Sequence, residues 1–293
     1  MTRAQVWLQA IRPQTLPVGA APIALGTALA ARYGGARVGP ALAALAGALL
    51  LQIGTNLSND AGDAARGADT PGRLGPTRAV AAGLLSAGAV KRGAAAAFLL
   101  ATLCGVYLWW VAGPIVVAIG VASILAGLAY TTGPYPLAYH GLGEVFVITF
   151  FGVVATAGTT FVQLGTVPGA AWPVGVASGC LASAVLVVNN LRDRATDAAA
   201  GKRTLAVRLG RRGSVIEYAL LVAVGLLLPV VTFLTGHGPR GLVAGLTTLP
   251  IAALVTWKVA TTDGASLNPL LGATARVMLV HAAVTAGGLV LWG

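Results

Sequence analysis

NLSNDAGDAARGADT, residues 56–70, closes the apolar run 38–58. Asn56, Asn59, Asp60, Asp63 and Asp69 arrive there together, beside Arg66. The whole chain has only 8 Asp and Glu in 293 residues, and three of them stand in this one stretch. A run of about 20 apolar residues is long enough to cross the hydrocarbon core of a bilayer. Carboxylates at the end of such a run are either solvated where the helix leaves the lipid or part of a polar site.

The rest of the chain places this stretch in a membrane protein. It is 57% hydrophobic and 9% charged, with mean hydropathy +0.83, whereas a soluble domain is about 25% charged. Apolar stretches near 14–33, 38–58, 92–112, 114–132, 144–164, 172–191, 214–235, 241–260 and 271–292 predict nine spans. Lipid offers the backbone no hydrogen-bond partner, so these spans should be helices. The expectation is an all-α membrane protein, a nine-transmembrane-helix bundle with a central cavity. Residues 1–293 should form a single polytopic domain, because no long polar linker interrupts them. The start, MTRAQVWLQAIRPQTLP, is amphipathic and basic and lacks the pattern of a cleavable signal. Cys104 and Cys180 lie inside apolar runs and read as buried small side chains.

Charge sets the orientation. With the N-terminus in the cytoplasm, every Lys and Arg falls on the inner side except Arg32, Arg37 and Arg240. That follows the positive-inside bias. Anionic headgroups of the lipid bilayer explain the net charge of +11, so no nucleic acid partner is expected. The functional surface should face the cytoplasm.

A second constellation, VVNNLRDRATDAAAGKRTLAVRLG (187–210), repeats the first. Asn56 precedes Asp60 by four residues, and Asn189 precedes Asp193 by four. Asp63 follows Asp60 by three; Asp197 follows Asp193 by four. On a helix these spacings share one face. Each segment would present Asn and two carboxylates in line, each after an even number of spans, as in a repeated half. Solvated loops of mixed charge are the plain alternative. Against it stands the same pattern occurring twice on the same side. Carboxylates in rows need solvent or cations, and oxygen donors without Cys or His favour Mg²⁺. The interleaved Arg66, Arg73, Arg78, Arg192, Lys202 and Arg203 suit a phosphate's remaining charge.

These segments, NLSNDAGDAARGADTPGRLGPTR (56–78) and NNLRDRATDAAAGKRTLAVRLG (189–210), resemble the aspartate motifs of the UbiA superfamily of intramembrane aromatic prenyltransferases. AYTTGPYPLAYHGLGEVFVITFFG (129–152) resembles a third, more specific motif. The likeness covers essentially the whole chain and is narrowest to the branch acting on 1,4-dihydroxy-2-naphthoate in menaquinone biosynthesis. Many superfamily members have a third Asp where this chain has Gly67. Its next is Asp69, as in the naphthoate branch, and Ala61 stands where that branch usually has an aromatic residue.

The resemblance implies transfer of a polyprenyl group from an allylic polyprenyl diphosphate to the naphthoate ring, with loss of CO₂, in the inner (plasma) membrane. It implies two Mg²⁺ ions held by Asp60, Asp63, Asp193 and Asp197, with Asn56, Asn59 and Asn189 beside them. Asp69 would ligate metal or orient an arginine, and Arg66, Arg78, Arg192, Lys202 and Arg203 would meet the diphosphate. Tyr130 would face the ring or the allylic cation. Glu144 would either pair with a loop arginine or touch the aromatic substrate, and His140 is a loop residue. Segments 59–91 and 192–213 are the long loops from which a lid would come. Another acceptor, such as 4-hydroxybenzoate, is the alternative within the class. Outside it stand a cation-coupled transporter, which wants charges near mid-membrane, and a membrane scaffold, which gives no reason for the repeated motif.

Overall fold

The structure, a computed structural model, describes residues 1–67 and 74–292. Every regular element among the described residues is helical. Helix α1 (Arg3–Ile11) begins at Thr2, whose hydroxyl accepts from the Gln5 amide while the Gln5 side chain accepts from the Thr2 amide. It ends at Arg12, whose φ of 58° is the only positive φ of a non-glycine residue among those described. Then follow α2 (Leu16–Arg32), α3 (Val38–Ala65), α4 (Ala87–Ala112), α5 (Ile115–Ala129), α6 (Gly143–Ile148), α7 (Ala155–Leu164), α8 (Ala171–Ala199), α9 (Leu205–Leu234), α10 (Leu249–Thr261) and α11 (Asn268–Leu291). A π-helical stretch, Thr149–Val154, joins α6 to α7, and Gly210 (φ 69°) kinks α9 near its start.

Eight helical segments among the described residues are long and apolar enough to cross a membrane. The span expected at 114–132 is α5, apolar but only 15 residues. At 1.5 Å per residue it is about 22 Å long, less than a bilayer's hydrocarbon core. Leu99, Leu103, Trp110, Leu220 and Leu254 point outward, a surface suited to lipid and not to water. The chain is an integral membrane protein.

Helix α8 sits at the centre, with 78% of its apolar window buried. It packs along α9 and against α6, the π-helical stretch and α11; α3 lies along α4, and α11 lies against α2. Glycine permits the tightest crossing. A Cβ on Gly152 would stand 2.5 Å from both the Gly175 carbonyl oxygen and the Gly179 Cα, so the two backbones touch there.

The helices outrun the expected spans. Helix α3 continues past residue 58 through Ala65, and α8 continues past 191 through Ala199. With α4 starting at Ala87 and α9 at Leu205, helix takes up both ends of the two expected loops, 59–91 and 192–213. The physical reason is twofold. Ala-rich sequence after each Asp favours helix, and the polar side chains find partners inside the bundle, so polarity does not end the helix there.

Candidate active site

The extension of α3 and α8 carries the acidic motifs inward. Asn56, Asn59 and Asp63 from α3 and Asn189, Asn190, Asp193 and Asp197 from α8 line one cavity of about 980 Å³, counting its open mouth. Arg12, Arg78, Tyr130 and Lys202 complete its polar wall. Asp63, Asp193, Asp197 and Lys202 are all less than a tenth exposed. Buried charges persist only when paired, and the pairing is dense here.

Lys202 is the hub. Its Nζ lies 3.1 Å from Asp63 Oδ1 and 3.8 Å from Asp197 Oδ1, and 4.8 Å from the centre of the Tyr139 ring. Tyr139 donates its hydroxyl to Asp63 Oδ1 at 3.0 Å, and Arg78 Nη2 stands 3.7 Å from Asp63 Oδ2. One ammonium thus links the carboxylates of the two motifs. Asp193 is held differently. Arg192 grips it through Nε at 2.9 Å and Nη2 at 2.6 Å, and also donates to Asn189 Oδ1 and Asn268 Oδ1. The loop closes on this guanidinium at Gly75, where a Cβ would stand 2.5 Å from Arg192 Nη2. Arg192, expected on the diphosphate, therefore orders Asp193 in this structure.

The asparagines hold the scaffold of the site. Asn56 Nδ2 donates to the Ile11 carbonyl at 2.9 Å and to Thr15 Oγ1 at 3.2 Å, fastening the α1–α2 junction to α3. Asn59 Oδ1 accepts from Thr131 Oγ1 at 2.7 Å, which ties α3 to the segment after α5. The Tyr130 ring packs 5.2 Å from that of Phe146, and both line the cavity.

Four expected residues lie elsewhere. Asp60 and Arg192 line a neighbouring cavity that shares Arg12, Thr15, Arg78, Asn189 and Leu271 with the first. Arg66 and Arg203 sit at an outer rim with Tyr139, His140 and Arg208, and Arg66 donates to the Gly133 carbonyl. His140 stacks on Tyr135 there, as a loop residue. Asp69 and Arg73 lie outside the described residues.

Arg12, Tyr139, Thr131 and Asn190 were not among the expected site residues. Arg12 had a visible signal, a basic residue before Pro13 at the mouth of an apolar span. The other three stand beside motif residues or in the loop after α5, and only tertiary packing turns them inward.

The donor set suits a hard cation. Asp60 Oδ2 accepts from the Ala79 amide at 3.2 Å, while its Oδ1 is buried with no hydrogen-bond partner. Such an orphan oxygen calls for a cation or water to complete it. Among the described residues no three His, Cys, Asp or Glu side chains converge on one point. Mg²⁺ does not need that. It is held by one or two carboxylates, waters and substrate phosphates, and these residues fit it.

Beside the charged cavity lies an apolar chamber of about 1020 Å³ between α2, α3, α4, α5 and α6–α7. Thr55, Phe146 and Phe151 line both. Gly105, Gly120 and Gly158 face the chamber, and a Cβ at any of them would meet nothing within 4 Å.

A helical membrane protein whose ionic cavity adjoins an apolar chamber suits an amphiphile with a charged head and a long tail. The chain belongs to the UbiA prenyltransferase family, whose model matches residues 20–287. It is thus an enzyme that transfers prenyl groups, and the transporter and scaffold readings fall. It is 39% identical over 284 residues to the 1,4-dihydroxy-2-naphthoate octaprenyltransferase of Mycobacterium tuberculosis, covering 97% of this chain and 96% of that one. It is 42% identical over 216 residues to the 1,4-dihydroxy-2-naphthoate octaprenyltransferase of Escherichia coli, covering 72% and 70%. The fold matches that of a UbiA homolog from Archaeoglobus fulgidus bound to DMAPP and Mg²⁺, with TM-score 0.68 and 15% identity over 96% of this chain and 99% of that one.

Proposed function

We propose that the protein transfers a polyprenyl group from an allylic polyprenyl diphosphate to 1,4-dihydroxy-2-naphthoate. The allylic carbon–oxygen bond breaks and diphosphate leaves. A ring electron pair forms the new carbon–carbon bond, and departure of the carboxylate as CO₂ restores the aromatic ring. The product is demethylmenaquinone in its quinol form. The observation that carries this reading is that the ionic cavity adjoins the apolar chamber, with Thr55, Phe146 and Phe151 lining both. The choice of naphthoate as acceptor is supported by near-full-length likeness to naphthoate octaprenyltransferases.

Asp60, Asp63, Asp193 and Asp197 would hold two Mg²⁺ ions together with the diphosphate. Bound there, Mg²⁺ supplies Lewis-acid stabilisation of the departing diphosphate. Lys202, Arg78 and Arg12 line the diphosphate's place and offset its charge; Arg66 and Arg203 at the rim attract it from solvent. Asn56, Asn59 and Asn189 keep the carboxylates in register, and Arg192 orients Asp193. Asp69 is assigned to the same motif. Tyr130 and Phe146 offer rings to the ionic cavity, and Phe146 also lines the apolar chamber; there they would stabilise an allylic cation and exclude water.

The remaining assignments rest on the same reading. Residues 1–293 form one polytopic domain with nine spans, α5 being the shortest. The Lys and Arg bias favours a cytoplasmic N-terminus, with the site facing the cytoplasm of a plasma membrane.

The test is direct. Protein in detergent is incubated with Mg²⁺, a polyprenyl diphosphate and either 1,4-dihydroxy-2-naphthoate or 4-hydroxybenzoate, and products are read by mass spectrometry. Prenylated, decarboxylated naphthoate is expected, and EDTA or Asp193→Ala should abolish it. Product from 4-hydroxybenzoate alone would keep the class of reaction and overturn the acceptor.

A further inference from the structure

Glu144 lies in the first turn of α6 and is 5% exposed. Among the described residues no loop arginine pairs with it. Asn190 Nδ2 donates to Glu144 Oε1 at 3.1 Å, while Glu144 Oε2 is buried with no hydrogen-bond partner. Ser183 Oγ donates to the Glu144 backbone carbonyl at 3.1 Å, so α6 is pinned to α8 at this point. A buried carboxyl with one oxygen unpaired costs stability, and an apolar side chain would fill the same space at less cost. Among the described residues, the side chain that this costly group binds is Asn190.

Asn190 lines the polar cavity together with Tyr130, Phe146 and Leu186. A side-chain amide has a donor end and an acceptor end. One N–H of its NH₂ is donated to Glu144, which fixes the plane of the amide, and the carbonyl Oδ1 makes no hydrogen bond to a described residue. We infer that Glu144 is a positioning residue: it fixes the Asn190 amide with its carbonyl toward the cavity, where it accepts a hydrogen bond from a hydroxyl of the aromatic acceptor. A carbonyl oxygen repels diphosphate and attracts a phenolic O–H. The flat faces of Tyr130 and Phe146 beside it suit an aromatic ring. The cations that suit the diphosphate, Lys202 and Arg78, gather instead around Asp63. The inference rests on the proposed function and deepens it by naming how the acceptor is oriented.

The experiment separates the two substrates. Steady-state kinetics give KM for the naphthoate and for the prenyl diphosphate independently. Glu144→Leu and Asn190→Leu should each raise the naphthoate KM about tenfold, the worth of one hydrogen bond, with the prenyl diphosphate KM unchanged. Glu144→Gln, which keeps an oxygen for the Asn190 amide, should stay close to wild type. Should Glu144→Leu not fold in detergent, Asn190→Leu decides through a competitor, the methyl ether of the naphthoate. In wild type the ether should bind about tenfold more weakly than the naphthoate, and in Asn190→Leu that gap should close. A parallel rise in both KM values, an unchanged naphthoate KM, or a gap that persists overturns the inference. If wild type prenylates no naphthoate, the proposed function falls and takes the inference with it. If it does, and only the variants are indifferent, the inference alone falls.

Discussion

Lys202 and Asp60 present the two opposite ways a buried carboxylate is handled in this cavity. Lys202 joins Asp63 and Asp197, so its removal leaves two buried charges without their shared cation. Lys202→Met should cost about 3 kcal/mol of stability in EDTA, the scale for breaking a buried pair. Added Mg²⁺ should restore more stability to this variant than to wild type, because a metal replaces the missing charge. Thermal unfolding with and without Mg²⁺ checks it, and equal metal-induced shifts would refute it. Asp60 keeps one oxygen on the Ala79 amide and one with no partner. Asp60→Asn should therefore leave the unfolding midpoint near wild type while lowering turnover about a hundredfold or more, the scale for a lost electrostatic contact in catalysis. Turnover that survives would remove Asp60 from the machinery. The Asn-x-x-x-Asp spacing singled out Asp60 from sequence, and the cations interleaved with the motifs singled out Lys202. It did not reveal that they face two cavities, because spacing fixes a helix face but not the wall opposite.

At the scale of elements, the decisive contact lies where α8 meets the start of the span it crosses. A Cβ on Gly179 would stand 2.7 Å from the Ile148 Cα and from its carbonyl oxygen. Those are backbone atoms, so nothing flexible can yield. Gly179→Val should destabilise by about 1–3 kcal/mol, the usual cost of overpacking, and should lower activity by shifting Asn189 and Asp193 on the same helix. Unfolding of purified protein measures this; a neutral substitution would mean that α8 is free to slide. The existence of α8 was plain from its apolar run and from the helical spacing of its polar end. Its length was not. A polar run at the end of a span reads as an exit from lipid, yet it continues as helix when its side chains are paired inside a bundle.

On the scale of the whole molecule, two cavities of opposite character meet at Thr55, Phe146 and Phe151. The apolar one is kept wide by residues without side chains. Gly120→Leu and Gly105→Leu should fill it, and their expected effect is on tail length: long prenyl diphosphates lose activity while a short one is spared. Competition between a short and a long donor, read by mass spectrometry, gives the ratio directly. Equal loss with both donors would place the tail elsewhere.

Composition and the paired motifs by themselves determined that this is a helical membrane protein, with its polar residues concentrated at one end of the spans. These are properties of side-chain solvation and of local helical spacing, and both are written along the chain. Only the tertiary structure decided which cation serves which carboxylate, that Arg12 and Tyr139 join the site, and that the ionic cavity adjoins an apolar chamber lined in part by glycines. Those facts depend on distances between helices far apart in sequence. Such distances are set by the close packing of the bundle, and no single segment encodes them.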